Sequence, residues 1–513
     1  MKKGGMNAQR SSTSIARIVI LHHPINIYFH KQNIKLKGNI KMKRVVCLLL
    51  ALLMFTSIIP LASAEEKKLG DSKYYSDVNM FTHNYFFAAN YLYEHDIMKG
   101  VSNNGANGKA LFGGDRDLTR AEIIIMLWRL DGSPEVNGTF AFTDCSYDTT
   151  VTKAVKWAVK NNITSGTSAT TFSPKQAVTH QDALLLIYRF IRYCGYVTQT
   201  DGYYEGIYGS PLKGFSGYAK GAAAWAYHNN ILTQKDIEAE SFGAKKNCTR
   251  GSAANYLYRA IGKYQKKYGL IVVNTNAMNY AADARDAMKT MFEHYGVKTV
   301  VKTDIESSAF SVAMTRAFNN SKRLDICYIY CASHGGENGL ALFKGTGSSR
   351  YLTPNTLRNQ IDLYKGTFMV FVSGCHTGTY INKGINDAAE DDKFDADAFV
   401  SILSEKVKSG ELAGTSRIKV LCSSKKSEVS YYTLGVATKF WCLGSGYDLE
   451  SKTFVSPAAD ENYVGNRDGK VSLKELWSYS LSEVNQKHKD QHVVCSDPTD
   501  TYIIFENVNF VVQ

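Results

Sequence analysis

The sequence predicts an all-helical first half built from repeats and an α/β second half with a mainly parallel sheet flanked by helices. Three observations support this division. A segment pattern recurs three times within residues 75–262, and regular recurrence is typical of repeat architectures. From residue 268 onward, short β-branched runs alternate with helical patterns, which favours a parallel sheet. Two of these runs end in small-residue turns that carry a His and a Cys, and the carboxyl ends of parallel strands meet at one sheet edge.

The first part of the chain is not expected to belong to the mature protein. Residues 42–64 are typical of a secretory signal, with a basic start, an apolar run and the small-residue site Ala62-Ser63-Ala64. Residues 1–41 precede this complete signal, which indicates a start codon assigned too early. The expected mature chain begins at Glu65 and has no further apolar run of membrane-spanning length. We therefore expect a secreted protein.

Charge and cysteine usage exclude several classes of protein. The formal net charge is +13, but residues 1–64 hold ten Lys or Arg and no Asp or Glu, so the mature chain is close to +3 (13 minus 10). That balance gives no reason to expect a nucleic-acid partner. The nine cysteines after the signal are scattered without a Cys-x-x-Cys pair, which argues against a disulfide framework and a zinc site.

Each repeat of the first half predicts a helix, a loop and a second helix. The repeats span residues 75–135, 136–196 and 210–262. Thr119, Thr179 and Thr249 are expected to cap the second helices. Glu122 and Asp182, each three residues after such a Thr, are expected to complete capping boxes.

These repeats resemble the S-layer homology domain, whose repeats carry Phe-x-Asp-Val, Gly-Ile-Ile-x-Gly and Thr-Arg-Ala-Glu signatures. Thr119-Arg120-Ala121-Glu122 matches the last signature, whereas the second repeat has His180 in place of Arg and the third has Gly251-Ser252 after Arg250. The resemblance implies a three-part module that holds the protein noncovalently on a secondary polymer of the bacterial cell wall, at the cell surface. It also implies that Arg120, and Arg250 in the third repeat, contact that polymer.

The second half is predicted to form one α/β unit over residues 268–485, followed by a C-terminal strand region, 486–513. The predicted strands are 270–273, 298–302, 326–331, 367–372 and 418–422. The predicted helices are 280–295, 308–319, 354–364 and 398–408. Alternation of this kind implies helices on both faces of the sheet.

A His and a Cys stand at the ends of two consecutive predicted strands. The motifs are Ser333-His334-Gly335-Gly336 and Ser373-Gly374-Cys375-His376-Thr377-Gly378. A thiolate is the reactive form of cysteine, and a nearby imidazole accepts the thiol proton. The pair resembles the caspase-like cysteine peptidases, including caspases, metacaspases, legumain, clostripain and gingipain, which share a strand ending in His-Gly and a later strand ending in a small residue, Cys, two residues and Gly.

This resemblance implies a role for each residue. Cys375 would be the nucleophile and His334 the general acid/base, with the backbone N–H groups of Gly335 and Cys375 forming the oxyanion hole. Cys331 is expected to be a buried strand residue instead. The substrates would be proteins or peptides, with no cofactor required. The alternatives are a noncatalytic surface protein with a degenerate peptidase fold, and an enzyme that acts on wall peptides or joins proteins by transpeptidation.

Substrate preference is less constrained by the sequence. Relatives that cut after Arg or Lys often have Asp two residues before the nucleophile, where this chain has Ser373. Because a buried cation needs a carboxylate partner, Glu428 and Asp325 are candidate replacements. We expect Ser373, Ser423 and Glu428 to bind substrate, although the loop that carries the last two also fits an ordinary solvated turn.

Two further segments each allow a functional interpretation and a purely structural one. The acidic loop 383–397 is either a solvated segment or an activation loop that the enzyme cleaves after Lys383 or Lys393.

Asn466, Asp468 and Glu475 match positions three, five and twelve of an EF-hand loop, but position one is Val464. Asp460 could replace it only if the loop bulged. Calcium is therefore a possible cofactor, and an Asp-Gly turn that opens a helix is the alternative.

Overall fold

The structure is a computed structural model. It describes residues 70–199, 201–208, 212–276, 280–336, 339–375, 396–404, 417–425, 428, 436–461, 465, 467, 469–500 and 502–506. The expected signal, the residues before it, the acidic loop with Lys383 and Lys393, and the predicted calcium ligands Asn466 and Asp468 lie outside the described residues. A helical N-terminal region precedes a mainly parallel α/β sheet, which confirms the predicted fold class.

The helical region begins after a short irregular start. Its helices are α1 (Phe86–Glu94), α2 (Arg120–Leu130), α3 (Thr149–Lys160), α4 (His180–Tyr193), α5 (Asp201–Tyr208), α6 (Gly217–His228), α7 (Gln234–Glu238) and α8 (Arg250–Tyr264). They enclose one apolar core that includes the fully buried Trp157 and Trp225. Short α5 and α7 are additions that the repeat pattern does not contain.

A closed ring of backbone hydrogen bonds joins the starts of α2, α4 and α8. Leu118 N–H donates to the carbonyl of Cys248, Cys248 N–H to that of Val178, and Val178 N–H to that of Leu118, at 2.9, 2.8 and 2.8 Å. Each bond links a different pair of repeats, so the arrangement has threefold character. The residues that open the three helices therefore occupy equivalent places.

The capping predictions hold in part. The hydroxyls of Thr119, Thr179 and Thr249 each accept from the backbone N–H three residues on, and Glu122 completes a capping box by accepting from Thr119 N–H at 2.9 Å. Asp182 instead accepts from the Thr179 hydroxyl and from the Tyr218 phenol, at 2.6 and 2.8 Å. The capping-box prediction is thus wrong for the second repeat, because the carboxylate is turned toward Tyr218.

The α/β region is organised by one large sheet. Its strands are β1 (Lys267–Val273), β2 (Lys298–Thr303), β3 (Ile326–Gly336), β4 (Gly339–Leu340), β5 (Thr367–Cys375) and β6 (Ile418–Cys422), and the later strands are β7 (Tyr447–Asp448), β8 (Thr453–Phe454), β9 (Val471–Ser472), β10 (Val494–Cys495) and β11 (Ile503–Phe505). The order is β10-β6-β5-β3-β1-β2, with β10 antiparallel and the other neighbours parallel. Strand β4 pairs with β3, and β7 with β8 and β9 with β11 form separate pairs.

Helices cover both faces of this sheet. They are α9 (Ala281–His294), α10 (Ser307–Phe318), α11 (Pro354–Ile361), α12 (Ala396–Ser404), α13 (Val436–Gly444), α14 (Ala458–Glu461) and α15 (Leu473–Lys487). Alternate strand residues enter two separate apolar cores: Tyr330 and Phe371 pack in one, while Ile329 and Val372 pack in the other. This alternation is the period-two pattern of a sheet buried on both faces.

Candidate functional site

The predicted nucleophile and base are partners in the sheet register. Strands β3 and β5 pair in parallel from Ile326 with Thr367 through to His334 with Cys375. Neighbouring strands lie about 4.8 Å apart, so two residues that are 41 positions apart in the chain (375 minus 334) become backbone neighbours at the carboxyl edge. Both strands are longer than the sequence predicts because their mutual pairing continues to these residues.

The backbone around His334 is held by a hairpin and by the end of β1. Gly335 pairs with Leu340 of β4, and the His334 carbonyl accepts from Ala341 N–H at 2.7 Å. The Ala341 carbonyl accepts from the hydroxyl of Ser333, at 2.5 Å, and from the side-chain amide of Asn274, at 3.2 Å. The half-buried His334 thus stands on a fixed backbone.

The end of β5 is held by Ser423, the first residue after β6. Its hydroxyl donates to the Gly374 carbonyl at 2.7 Å and accepts from Gly374 N–H at 3.1 Å. Ser423 is 0% exposed, and its own carbonyl accepts from the side chain of buried Gln491 at 2.7 Å. The hydroxyl predicted to bind substrate is therefore engaged with the backbone that precedes Cys375.

The other predicted substrate-binding residues are also engaged. Ser373 is buried and accepts from the Thr438 hydroxyl at 3.4 Å. The Glu428 carboxylate lies in the loop after β6 and is held by His492, whose backbone N–H and ring Nδ1 each approach it at 2.8 Å. Gln491 and His492 are residues that the sequence reasoning missed, since their segment resembles an ordinary polar connection.

Asp325 does not lie near this edge. It precedes β3 at the opposite, amino-terminal edge of the sheet. Its carboxylate accepts from the Tyr196 phenol and from the backbone N–H groups of Lys266 and Lys322, each at 2.7 Å. Burial raises the pKa of Asp325, against the opposing effect of these donors. This residue joins the helical region to the sheet and is not placed to bind a substrate side chain at the carboxyl edge.

The thiols that the structure describes are unsuited to nucleophilic chemistry. They are buried and form no disulfides: Cys145, Cys194, Cys248, Cys327, Cys331, Cys422, Cys442 and Cys495. Burial raises the pKa of Cys331 to about 12, so this thiol stays protonated at neutral pH. Cys331 is a buried strand residue, as predicted.

Of the three predicted calcium ligands, Glu475 lies within the described residues. Its carboxylate accepts from the backbone N–H and the hydroxyl of Ser472, both at 2.9 Å, and so caps α15. Asp460 accepts from Gly469 N–H at 2.7 Å. Over the part of the chain that the structure describes, no group of three or more His, Cys, Asp or Glu side chains is arranged to hold a metal ion.

The two arginines predicted to bind polymer differ in how fully they are engaged. Arg250 is 5% exposed, donates from Nε to the Phe112 carbonyl at 2.9 Å and from Nη2 to the Lys99 carbonyl at 2.7 Å, and lies 3.6 Å from Glu122 through Nη1. Half-buried Arg120 makes the equivalent Nε bond, to the Phe172 carbonyl at 3.0 Å.

Each guanidinium also lies over the ring of the phenylalanine that it bonds, at 5.1 Å for Arg250 and 4.8 Å for Arg120. Both therefore reach from one repeat into the next. Arg120 retains more access to a ligand.

The third equivalent position holds His180. It is buried, with Nδ1 2.9 Å from the Tyr256 hydroxyl and its ring 5.0 Å from that of Phe242, in the next repeat. Burial lowers the pKa of His180 to about 4. A neutral aromatic ring thus makes the contact that a guanidinium makes at the other two positions.

Comparison with known proteins locates one family in the chain. Residues 146–184 match the S-layer homology domain, and this segment contains α3 and the start of α4. An S-layer homology domain indicates anchoring at the bacterial cell surface. The match covers none of the α/β region, and no curated protein matches the chain. Among the described helices, none is long and apolar enough to cross a membrane.

Proposed function

We propose that this protein is a cysteine endopeptidase held on the bacterial cell wall, which hydrolyses peptide bonds through Cys375 and His334. The observation that carries the proposal is the register pair of these residues on β3 and β5, at the carboxyl edge of a parallel sheet. Ligand sites of open α/β sheets occur at this edge. The S-layer homology match supports the surface location.

The chemistry follows from the residue types. The His334 imidazole takes the Cys375 thiol proton, and the thiolate attacks the carbonyl carbon of the scissile bond. The family resemblance assigns the resulting oxyanion to the N–H groups of Gly335 and Cys375, which must leave the β3–β5 ladder to bind it. The C–N bond then breaks as His334 returns the proton to the leaving amine. Water, deprotonated by the same imidazole, hydrolyses the thioester and releases the free thiol.

Rigid backbone around the dyad supports this assignment. The hairpin β3–β4 fixes the peptide after His334, and Ser423 fixes the peptide before Cys375. In this mechanism every acid, base and donor comes from the protein itself.

A cleavage assay tests the activity. The chain lacking residues 1–64 is incubated with a mixture of unfolded proteins, and new amino termini are identified by mass spectrometry. We expect cleavage by the wild type, none by Cys375→Ala, and only slow cleavage by His334→Ala. Cleavage that persists in Cys375→Ala would overturn the proposal.

We also propose that the helical region binds a secondary polymer of the wall. Half-buried Arg120 supports this idea, because it is more exposed than Arg250 and its charge lies near the carboxylates of Asp182 and Asp144. Sedimentation with purified wall sacculi, with and without their secondary polymer, tests it. Binding that ignores the polymer would overturn it.

A further inference from the structure

A cavity of about 710 Å³ lies where the helical region meets the sheet. The end of α2 lines one side, and the segments that lead into β3, β5 and β6 line the other. Because these strands begin here, the cavity lies at the amino-terminal edge of the sheet, opposite His334 and Cys375. Arg120 and Arg250, both among the described residues, lie outside its lining. A space of this volume between two regions of a protein is typical of a ligand site.

Acidic side chains equal Lys and Arg side chains in number in the described lining. The five basic residues, by which we define the junction cavity, are Arg129, Arg323, Lys365, Arg417 and Lys419. The five acidic residues are all aspartates. The class of ligand that the cavity suits therefore depends on which of these charges are already engaged.

Asp131 is the most deeply buried of the aspartates and is fully engaged. Its carboxylate lies 3.0 Å from Nη1 of Arg323 and accepts from the Trp157 indole and the Tyr193 phenol, at 3.0 and 2.9 Å. These donors come from the helical repeats and from the segment before β3. The carboxylate therefore has little capacity left for a ligand.

Two further aspartates are paired with bases of the α/β region. Asp362 accepts from Arg358 Nε at 2.7 Å and from Arg417 Nη2 at 3.0 Å. Asp500 accepts from Lys419 Nζ at 2.5 Å. These pairs neutralise each other.

The remaining two aspartates are exposed and have partners as well. Asp96 is paired with Lys99, and Asp497 accepts from the backbone N–H and the hydroxyl of Thr499, at 2.8 and 2.7 Å. Each carboxylate of the described lining is thus matched by donors of the protein.

Two of the basic side chains keep donors to spare. Arg129 is half-buried, and its described hydrogen bond is a long one, from Nη1 to the Ile97 carbonyl at 3.4 Å. A guanidinium has five N–H donors, so most of those on Arg129 remain unused. The Lys365 side chain is exposed and has no hydrogen-bond or ion-pair partner among the described residues. The surplus in the junction cavity is therefore one of cationic donors.

The buried Cys194 thiol indicates that the basic groups converge. Burial and the charge of Asp131 raise the pKa of Cys194, whereas the charges of Arg323 and Lys365 oppose that shift. Arg323 precedes β3 and Lys365 precedes β5, yet both act on one thiol. An anion bound between them would be attracted by both.

We propose that the junction cavity binds a sugar that carries a phosphate or a carboxylate group. Arg129 and Lys365 donate to the anionic group, for which the planar fork of a guanidinium is well suited. A bare inorganic anion would leave most of the volume empty, and the lining presents the hydroxyls of Ser133 and Ser496 to the hydroxyls of a sugar. The site is independent of the proposed peptidase function.

A titration tests this site. The chain lacking residues 1–64 is titrated at low ionic strength with glucose 6-phosphate, with glucuronate and with uncharged glucose, and binding is followed by isothermal calorimetry and by the rise in Tm. We expect one or both anions to bind and glucose not to bind measurably. Added salt should weaken binding, because the attraction of the exposed Lys365 is screened.

Matched variants locate the bound anion. Arg129→Gln and Lys365→Gln should each weaken anion binding about tenfold, the size expected for a lost hydrogen bond to a charged group. Arg316→Gln on α10 and Lys220→Gln on α6 remove the same charges at exposed positions outside the lining, and they should bind as wild type. Since Lys365 is exposed, its replacement leaves the fold intact.

The outcomes also identify the source of the ligand. Displacement of the chain from wall sacculi by the bound anion would indicate a charged sugar of the wall polymer, and binding without displacement would indicate a free small anion. A folded wild type that shows neither heat nor a rise in Tm with either anion overturns the proposal. Equal binding of glucose, or equal weakening by the Arg316 and Lys220 variants, also overturns it.

Discussion

The helical repeats and the carboxyl edge of the sheet place their candidate functional residues in different ways. In the repeats, Arg120, His180 and Arg250 each follow a capping Thr, and a ring of backbone bonds makes their positions equivalent. At the sheet edge, the backbones of His334 and Cys375 become neighbours through strand register. The first arrangement repeats the same local geometry three times. Residues at equivalent positions can therefore differ in type and in their contacts. The second depends on one nonlocal pairing of strands, so neither residue has an equivalent elsewhere in the sheet register.

The largest expected effect is at the sheet edge. Replacing His334 with Ala removes the general acid/base, and we expect peptide hydrolysis to fall about 10²–10⁴-fold. Initial rates measured on one cleaved peptide check this, with His376→Ala as the matched control, since His376 has no proposed role. A His334→Ala protein with wild-type rates would contradict a dyad.

The next largest effect is a loss of stability that we expect to be larger for Arg250 than for Arg120. Arg250→Ala removes two hydrogen bonds to backbone carbonyls and a contact with Glu122 inside the ring of repeats. Buried acceptors left without donors are costly, so we expect the free energy of unfolding to fall by about 3 kcal/mol. Urea denaturation measures the change. A loss below about 1 kcal/mol would show that the guanidinium is not structural.

The lowered pKa of His180 predicts how the stability of the helical repeats depends on pH. Burial lowers its pKa from 6.5 to about 4, with Asp236 opposing and Lys246 adding to the shift. Between pH 6.5 and 4 the His180 side chain binds a proton in the unfolded chain but not in the folded chain. The free energy of unfolding is therefore unaffected by this residue above pH 6.5 and declines as the pH falls toward 4. The expected loss from this residue is about 3 kcal/mol.

Comparison with His180→Phe isolates this contribution, because all other titrating groups are shared. The variant should lose less stability between pH 6.5 and 4 than the wild type in urea titrations. Parallel pH profiles for the two proteins would contradict the assignment.

The smallest expected change in stability is at Arg120. Its loss removes one described hydrogen bond from a half-buried side chain, so Arg120→Ala should cost about 1 kcal/mol. Binding to sacculi that carry their secondary polymer should nevertheless be lost. Arg250→Lys is the control for retained charge at the equivalent position. An Arg120→Ala protein that binds such sacculi normally would remove this residue from the proposed polymer site.

Local patterns were enough to predict the helical repeats, the five central strands and the capping residues. The ends of β3 and β5 were not predictable in this way, because they extend through pairing with each other. The hydrogen-bond partners of Ser423 and Asp325 were also not predictable from the sequence. A serine in a polar loop gives no sign that it will satisfy Gly374, and an aspartate before a strand gives no sign that Tyr196 will bond it.

The central claim is that Cys375 is a nucleophile served by His334. The most direct measurement incubates the chain lacking residues 1–64 with peptidyl ketone probes carrying Arg, Lys, Asn or Asp, and then maps the label by mass spectrometry. We predict label on Cys375, with one favoured probe, and a much slower reaction in His334→Ala. A folded protein that takes no label on Cys375 from any probe would contradict the claim and favour a noncatalytic surface domain.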